Sequence, residues 1–216
     1  MIQLHYYPSS AAMVPHIVLE EIGAPFERVL VDRAVGAHKT LEYLRLNPNG
    51  LIPVLVDGGQ VVYETAAIVL HLCDTHPKAG LAPATGTWER AHFYQWLMWL
   101  TNTLQASLIV YFYPERWVDQ GNAAGVSEVK AHAERRVGVL LDMLEAELGR
   151  LGQPWFGGAR YSALDAYVFT LCRWTRNFKS PPARERPLLG PYLQRVLARP
   201  AVQRVIAAEK LAPPFV

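Results

Sequence analysis

The residues best placed for chemistry lie between Asn47 and Asp74, in the stretch NPNGLIPVLVDGGQVVYETAAIVLHLCD. Pro53 stands inside the apolar run Leu51 to Val56 and has no N–H to give a sheet ladder, so it must open a strand at its edge. A cis Ile52–Pro53 bond is compatible with such an opening. The residue before it, Ile52, then keeps a backbone N–H and C=O able to pair with an extended peptide as an added strand. Glu64-Thr65 comes next, followed by Ala67, Ile68, Leu70, His71 and Leu72 at helical spacing, so a helix begins there. Its N-terminal N–H groups suit a carboxylate, the Thr65 hydroxyl adds a further donor, and Glu64 can hold an ammonium. Those groups together describe a short peptide-like ligand carrying both an ammonium and a carboxylate. The same residues also read as a hairpin and a capped helix with no ligand.

The elements that position them follow from turn chemistry and periodicity. Asn47-Pro48-Asn49-Gly50 and Asp57-Gly58-Gly59 are turns, the second leading into the β-branched run Gln60 to Tyr63. Upstream, Ile2 to Tyr6 alternates as a strand, Pro8-Ser9-Ser10 breaks it, and Ala12 to Ile22 reads as a helix ended by Gly23. Phe26 to Val31 is a second strand, parallel to the first through the crossover. A polar connection from Arg33 to Lys39 leads to a short helix, Thr40 to Leu46. The order βαβαββα makes a small sheet with helices on both faces. Pro and Gly concentrate between His76 and Gly86, which divides the chain into residues 1–77, a linker 78–87, and residues 88–216. Everything past the linker is helical in pattern: Trp88 to Tyr111, Val126 to Leu151, Ala166 to Trp174, Pro187 to Ala198 and Pro200 to Glu209. Ser162-Ala163-Leu164-Asp165 is a capping box with Asp at its third helical position.

Composition sets the outer limits. A chain of 216 residues with 51% hydrophobic content has ample length for a core. Its apolar runs are far too short to span a membrane, and MIQLHYYP shows no signal-peptide pattern, so a cytoplasmic protein is expected. A net charge of +2 with scattered Lys and Arg argues against a nucleic-acid partner. Cys73 and Cys172 each sit in an apolar helical pattern and read as core thiols, and no His, Cys, Asp or Glu set has metal-ligand spacing.

N-P-x-G-x-[VI]-P-x-L, a hairpin and E-[ST]-x-A-I-x-x-[YH]-L together resemble the glutathione-binding segment of cytosolic glutathione transferases. The resemblance covers essentially the whole chain. It implies a thioredoxin-like N-terminal domain, an all-helical C-terminal domain, and glutathione as co-substrate with no cofactor or metal. It further implies a hydrophobic electrophile as second substrate and a homodimer to which the apolar helix Trp88 to Tyr111 contributes. Ser-x-x-Asp is carried over as structural.

The chemistry expected of such a protein is ionisation of the glutathione thiol. Moving a thiol from ~8.5 to ~6.5 takes ~2.7 kcal/mol. One hydroxyl donating to a charged sulfur supplies roughly 1.5–3 kcal/mol. The donor should sit just after the first strand, where Tyr6, Tyr7, Ser9 and Ser10 lie. Serine-using classes place it at Ser9, counting back from MVPHIVLEE, while Ser10 matches the second serine of the Ser-Ser-Cys pattern of maleylacetoacetate isomerases. Ala11 occupies the cysteine position of the bacterial cysteine-using class. Ser10 also reads as a helix cap. His38-Lys39, within H-K-x-x-x-[YF]-L-x-[LI]-N-P, falls where related transferases hold the glycyl carboxylate, and both also read as solvated loop charges. The glutathione set implied is therefore His38, Lys39, Ile52, Pro53, Glu64 and Thr65. Leu51 stands where the family carries a polar residue. Tyr111, Phe112 and Trp117, with Trp174, are candidates to line an apolar pocket, and Asn102 and Gln105 fall where the cysteine-using class lines its site.

Other readings compete with transfer: a glutathione-dependent disulfide reductase, a maleylacetoacetate isomerase lacking that family's cysteine and following arginines, and a non-enzymatic adaptor. The intact Glu64-Thr65 and His38-Lys39 pairs argue against the adaptor.

Overall fold

The computed structural model describes residues 1–216. They form two compact units, one of Met1–Ala84 with Ala198–Pro213, the other of Thr85–Leu197 with Pro214–Val216.

In the first unit, β1 (Ile2–Tyr6), α1 (Met13–Ile22), β2 (Phe26–Leu30), α2 (Leu41–Leu46), β3 (Val54–Asp57), β4 (Gln60–Tyr63) and α3 (Thr65–Thr75) follow the expected βαβαββα order. The sheet runs β2-β1-β3-β4, with β1 and β2 parallel and the other pairs antiparallel. Adjacent strand residues point to opposite faces, yet Val54 and Leu55 are both fully buried, so the sheet is covered on each side. Tyr43 of α2 packs with Val31 and Val54 on one face, joined by Ala37, Leu46 and Ile52. Gly23, at φ 72°, ends α1 in the left-handed conformation that glycine accepts without strain.

The last helix, α9 (Pro200–Ala208), differs from the sequence-based division. Residues 88–216 read as one helical domain, but Ala198–Pro213 belong to the first unit. Arg199 grips Glu21 with both Nε (2.5 Å) and Nη2 (2.8 Å), and Arg204 holds Glu20, binding α9 along α1. Val202 and Val205, both fully buried, supply the apolar seam. Helical periodicity reports only that α9 has an apolar face, not which helix covers it.

In the second unit, Trp88 to Phe112 is continuous helix, as α4 (Trp88–Trp99), a π segment (Leu100–Gln105) and α5 (Ala106–Phe112). The Tyr167 hydroxyl donates to Gln105 Oε1 (2.6 Å) and accepts from Thr101 (3.2 Å), fastening the π segment to the helix behind it. Next, α6 (Ala123–Leu151) starts earlier than its apolar pattern suggested, because Asn122 accepts the Gly125 N–H and caps it. Every residue of α7 (Ala163–Arg173) is buried. Its capping box is present: Asp165, fully buried, accepts from Phe156 N, Ser162 N and Oγ, and the Tyr192 hydroxyl of α8 (Leu189–Leu197). Cys73 and Cys172 are buried thiols outside any disulfide, and burial pushes the Cys172 thiol up to about 12. No helix is long and apolar enough to cross a membrane.

Candidate active site

Strand register assembles the site at one end of the sheet. His5 of β1 lies opposite Val54 of β3, and Val54 lies opposite Tyr63 of β4. The next residues along the three segments are Tyr6, Pro53 and Glu64. There the chain leaves β1 into the Ser9–Ser10 turn, enters β3 through a cis Ile52–Pro53 bond, and leaves β4 into α3. Three segments distant in sequence thus end side by side.

Two of their helices begin without a cap of their own. Side chains of Thr40, Thr87, Asn122 and Ser162 close the N-termini of α2, α4, α6 and α7. Neither α1 nor α3 has such a cap. In α1 the first N–H groups are taken up by the turn before it, Met13 by the Ser10 carbonyl (3.1 Å) and Val14 by the Ala11 carbonyl (3.2 Å), whereas those of α3 carry uncompensated partial positive charge, the arrangement that binds anions. At α3 the N-cap is Glu64, held at φ 72° and ψ 119°, a conformation that costs a non-glycine residue ~1–3 kcal/mol. Its side chain is exposed, whereas Thr65 behind it is only 6% exposed.

The two serines are used differently. Ser10 donates its hydroxyl to the Tyr7 carbonyl (2.6 Å), and its oxygen accepts the Ala12 N–H (3.2 Å). A serine has one proton to give, so that of Ser10 is committed to the turn, in the capping region where the sequence also placed it. Ser9 sits half-buried at φ 60°, with its backbone N–H donating to Glu209 Oε2 (2.8 Å).

On the opposite flank, the turn Asn47–Gly50 presses against His38-Lys39. A Cβ on Gly50, whose φ is +61°, would stand 2.9 Å from the His38 carbonyl oxygen and 3.0 Å from Lys39 Nζ. Only glycine allows that approach. The Leu51 carbonyl accepts from both the Tyr43 hydroxyl (2.7 Å) and Asn47 Nδ2 (2.9 Å), which anchors the residue before Ile52. No backbone hydrogen bond engages Ile52 itself. His38 Nδ1 is buried without a hydrogen-bond partner, while Lys39 is exposed. Burial, followed by the Lys39 and Arg33 charges, pushes the His38 imidazole below its ordinary range.

In the second unit, Tyr111 is buried against Phe178 (ring centroids 4.3 Å apart) with Lys130 Nζ over its ring. Phe112 lies edge-on to both Tyr111 and Trp174, so these rings form one cluster. Trp117, on a 3₁₀ turn and 61% exposed, stands outside it. Gln105 is engaged by Tyr167, and Asn102 is exposed.

Comparison with known proteins matches residues 8–75 to the glutathione S-transferase N-terminal domain and residues 101–200 to the C-terminal domain. Glutathione S-transferase 3 of Zea mays is 35% identical over 203 residues, covering 91% of this chain and 89% of that protein. The chain belongs to the glutathione S-transferase family. A disulfide-bond oxidoreductase of Escherichia coli strain K12, YfcG, is 28% identical, covering 98% of this chain and 97% of that one. Among solved structures, a glutathione transferase homolog from Sulfitobacter with bound glutathione superposes with a TM-score of 0.88. It is 25% identical, covering 98% of this chain and 99% of its own.

For a glutathione S-transferase, the supporting residues are the ones sequence reasoning passed over. His16 stands alone in the sequence, with no partner at metal-ligand spacing, but its Nδ1 meets Glu209 Oε1 at 2.8 Å. Nothing in spacing announces a pair separated by 193 positions. Tyr43 and Asn47 lie inside the recognised motif, and their hydroxyl and amide beside a polar turn were the available signal.

Proposed function

We propose that this glutathione transferase ionises its co-substrate's thiol by a hydrogen bond from Ser9, and transfers glutathione to a small hydrophobic electrophile. The observation that carries this reading is the convergence of the Ser9 turn, cis Pro53 and the uncapped start of α3 at one end of the sheet. The peptide-like co-substrate pairs with the Ile52 backbone beside Pro53, and one carboxylate rests on the N–H groups and hydroxyl of Thr65. Glu64 takes the ammonium, and Lys39 with His38 takes the second carboxylate. The thiol then lies toward Ser9, a donor needing no general base, because it stabilises the thiolate without being deprotonated itself. Ser10, whose proton is committed to Tyr7, supports the turn. Of the aromatic residues expected to meet the electrophile, Phe112 and Trp117 are exposed, whereas Tyr111 and Trp174 are buried.

The exposed apolar side chains Trp88, Tyr94 and Met98 of α4 favour a homodimer. Sedimentation at micromolar concentration tests it, and a mass near 24.2 kDa overturns it.

The test of the chemistry is an assay panel with an aryl halide and a mixed disulfide, run on wild type, Ser9→Ala and Ser10→Ala. Aryl transfer falling ~10–100-fold in Ser9→Ala, with the bound thiol's pKa raised by about one to two units, is expected. A shift in Ser10→Ala alone transfers the role to Ser10. Turnover of the mixed disulfide without aryl transfer establishes the reductase instead.

A further inference from the structure

The Ser9 turn is held from outside its own segment. Glu209 lies at the C-terminal end of α9, and its side chain and that of His16 are both fully excluded from solvent. A buried carboxylate is costly unless its oxygens are hydrogen-bonded. Here Oε1 meets His16 Nδ1 and Oε2 accepts the Ser9 N–H, each over 2.8 Å. Around them, Tyr6 and Phe26 enclose the His16 ring (centroids at 6.1 and 5.7 Å), and Arg28 donates to the Ala208 carbonyl (2.9 Å), fixing the end of α9 from a second side.

Ser9 occupies φ 60°, a conformation unfavourable for a non-glycine residue unless its surroundings enforce it. Two anchors do so. On the N-terminal side of its Cα, the Ser9 amide points at Glu209. On the other side, the Ser10 N–H (3.3 Å) and hydroxyl (2.6 Å) both donate to the Tyr7 carbonyl. Between fixed neighbours the Ser9 Cα–Cβ direction is determined, and with it the arc its hydroxyl can sweep. Without Glu209 the Ser9 N–H loses its buried acceptor, and with it the restraint on the N-terminal side of the Cα.

We infer that Glu209, itself oriented by His16, is a positioning residue that aims the Ser9 hydroxyl at the reacting thiol. This rests on the reading of Ser9 as thiol donor. The end of α9 thereby becomes part of the active-site support, although it contributes no group to the ligand.

The experiment compares Ser9→Ala, Glu209→Ala, Glu209→Gln, Glu209→Asp and Arg199→Ala. Each is measured for thiolate absorbance of bound glutathione against pH, for kcat and KM, and for thermal midpoint. Glu209→Ala should raise the thiol's apparent pKa in the same direction as Ser9→Ala and lower kcat ~10-fold, with KM for glutathione within about twofold. Glu209→Gln keeps an oxygen for the Ser9 N–H and should stay near wild type. Glu209→Asp, one methylene too short, should shift part of the way, and decides the matter should Glu209→Ala not fold. Arg199→Ala loosens α9 at Glu21, so it should lower the thermal midpoint and leave the thiol titration in place. A shift in Ser9→Ala, with folded Glu209→Ala and Glu209→Asp both at the wild-type value, overturns the inference and leaves Ser9 standing. No shift in Ser9→Ala overturns both.

Discussion

The phenol of Tyr43 donates to the carbonyl of Leu51 over 2.7 Å, so a core residue of α2 holds the backbone immediately before Ile52. Burial pushes that phenol well above its ordinary range, keeping it a neutral donor across physiological pH. Tyr43→Phe removes this bond while Asn47 keeps its own to the same oxygen. Stability should fall by ~1 kcal/mol and the glutathione dissociation constant should rise ~3-fold. Denaturant titration and calorimetry measure the two, and an unchanged dissociation constant separates the tether from binding.

Thr65 begins a helix that no side chain caps. If its hydroxyl and the α3 N-terminus receive a carboxylate, Thr65→Ala loses a charge-assisted bond of ~1.5–3 kcal/mol, a weakening of roughly 10- to 150-fold. Calorimetry with glutathione checks it. Thr65→Ser, which keeps the hydroxyl, should recover most of the affinity.

His38 provides a pH signature. Burial and the neighbouring cations Lys39 and Arg33 lower its pKa, so at neutral pH the imidazole is uncharged and Lys39 carries the charge. A bound carboxylate favours the protonated imidazole, so binding should take up a proton as pH falls below ~6.5. Glutathione affinity should therefore rise between pH 7.5 and 5.5. The rise should vanish in His38→Gln, whereas Lys39→Ala should weaken binding at both pH values. Calorimetry in buffers of different ionisation enthalpy counts the protons.

Asp165 makes stability depend on pH in the second unit. Burial raises its carboxyl from 3.8 to about 6, against the hydrogen bonds from Phe156, Ser162 and Tyr192 that favour the charged form. Between those values the folded chain holds a proton that the unfolded chain has released. The group's contribution to stability is thus largest at the acid end and declines as pH rises through the window, by up to ~1.4 kcal/mol per pH unit. Denaturant unfolding of Asp165→Asn at pH 4.5, 5.5 and 7 should show a flatter dependence than wild type. Equal slopes would remove Asp165 from the account.

The secondary structure from Asn47 to Asp74 was legible in the sequence because its signals are local. A proline opening a strand, a Gly-Gly turn and Glu-Thr before an apolar helical run each constrain only a few neighbouring dihedrals, and β3, β4 and α3 formed where those residues placed them. Ser162 and Asp165 were readable for the same reason, since a capping box spans one helical turn. The cis Ile52–Pro53 bond followed from position together with family resemblance.

Long-range partnership was not legible. Position after the first strand left Tyr6, Tyr7, Ser9 and Ser10 open, and the family resemblance nominated the two serines, but only the fold shows the Ser10 hydroxyl committed to Tyr7 and Ser9 at φ 60° with its N–H on Glu209. Periodicity showed that α9 has an apolar face, but its place against α1 depended on Arg199 meeting Glu21 and Arg204 meeting Glu20. Sequence alone determined where the chain turns and where β3, β4 and α3 form, because those depend on covalent geometry and near neighbours. Which buried charge finds which partner across nearly the whole chain was decided by the tertiary structure, since that pairing exists only once packing has excluded water from both.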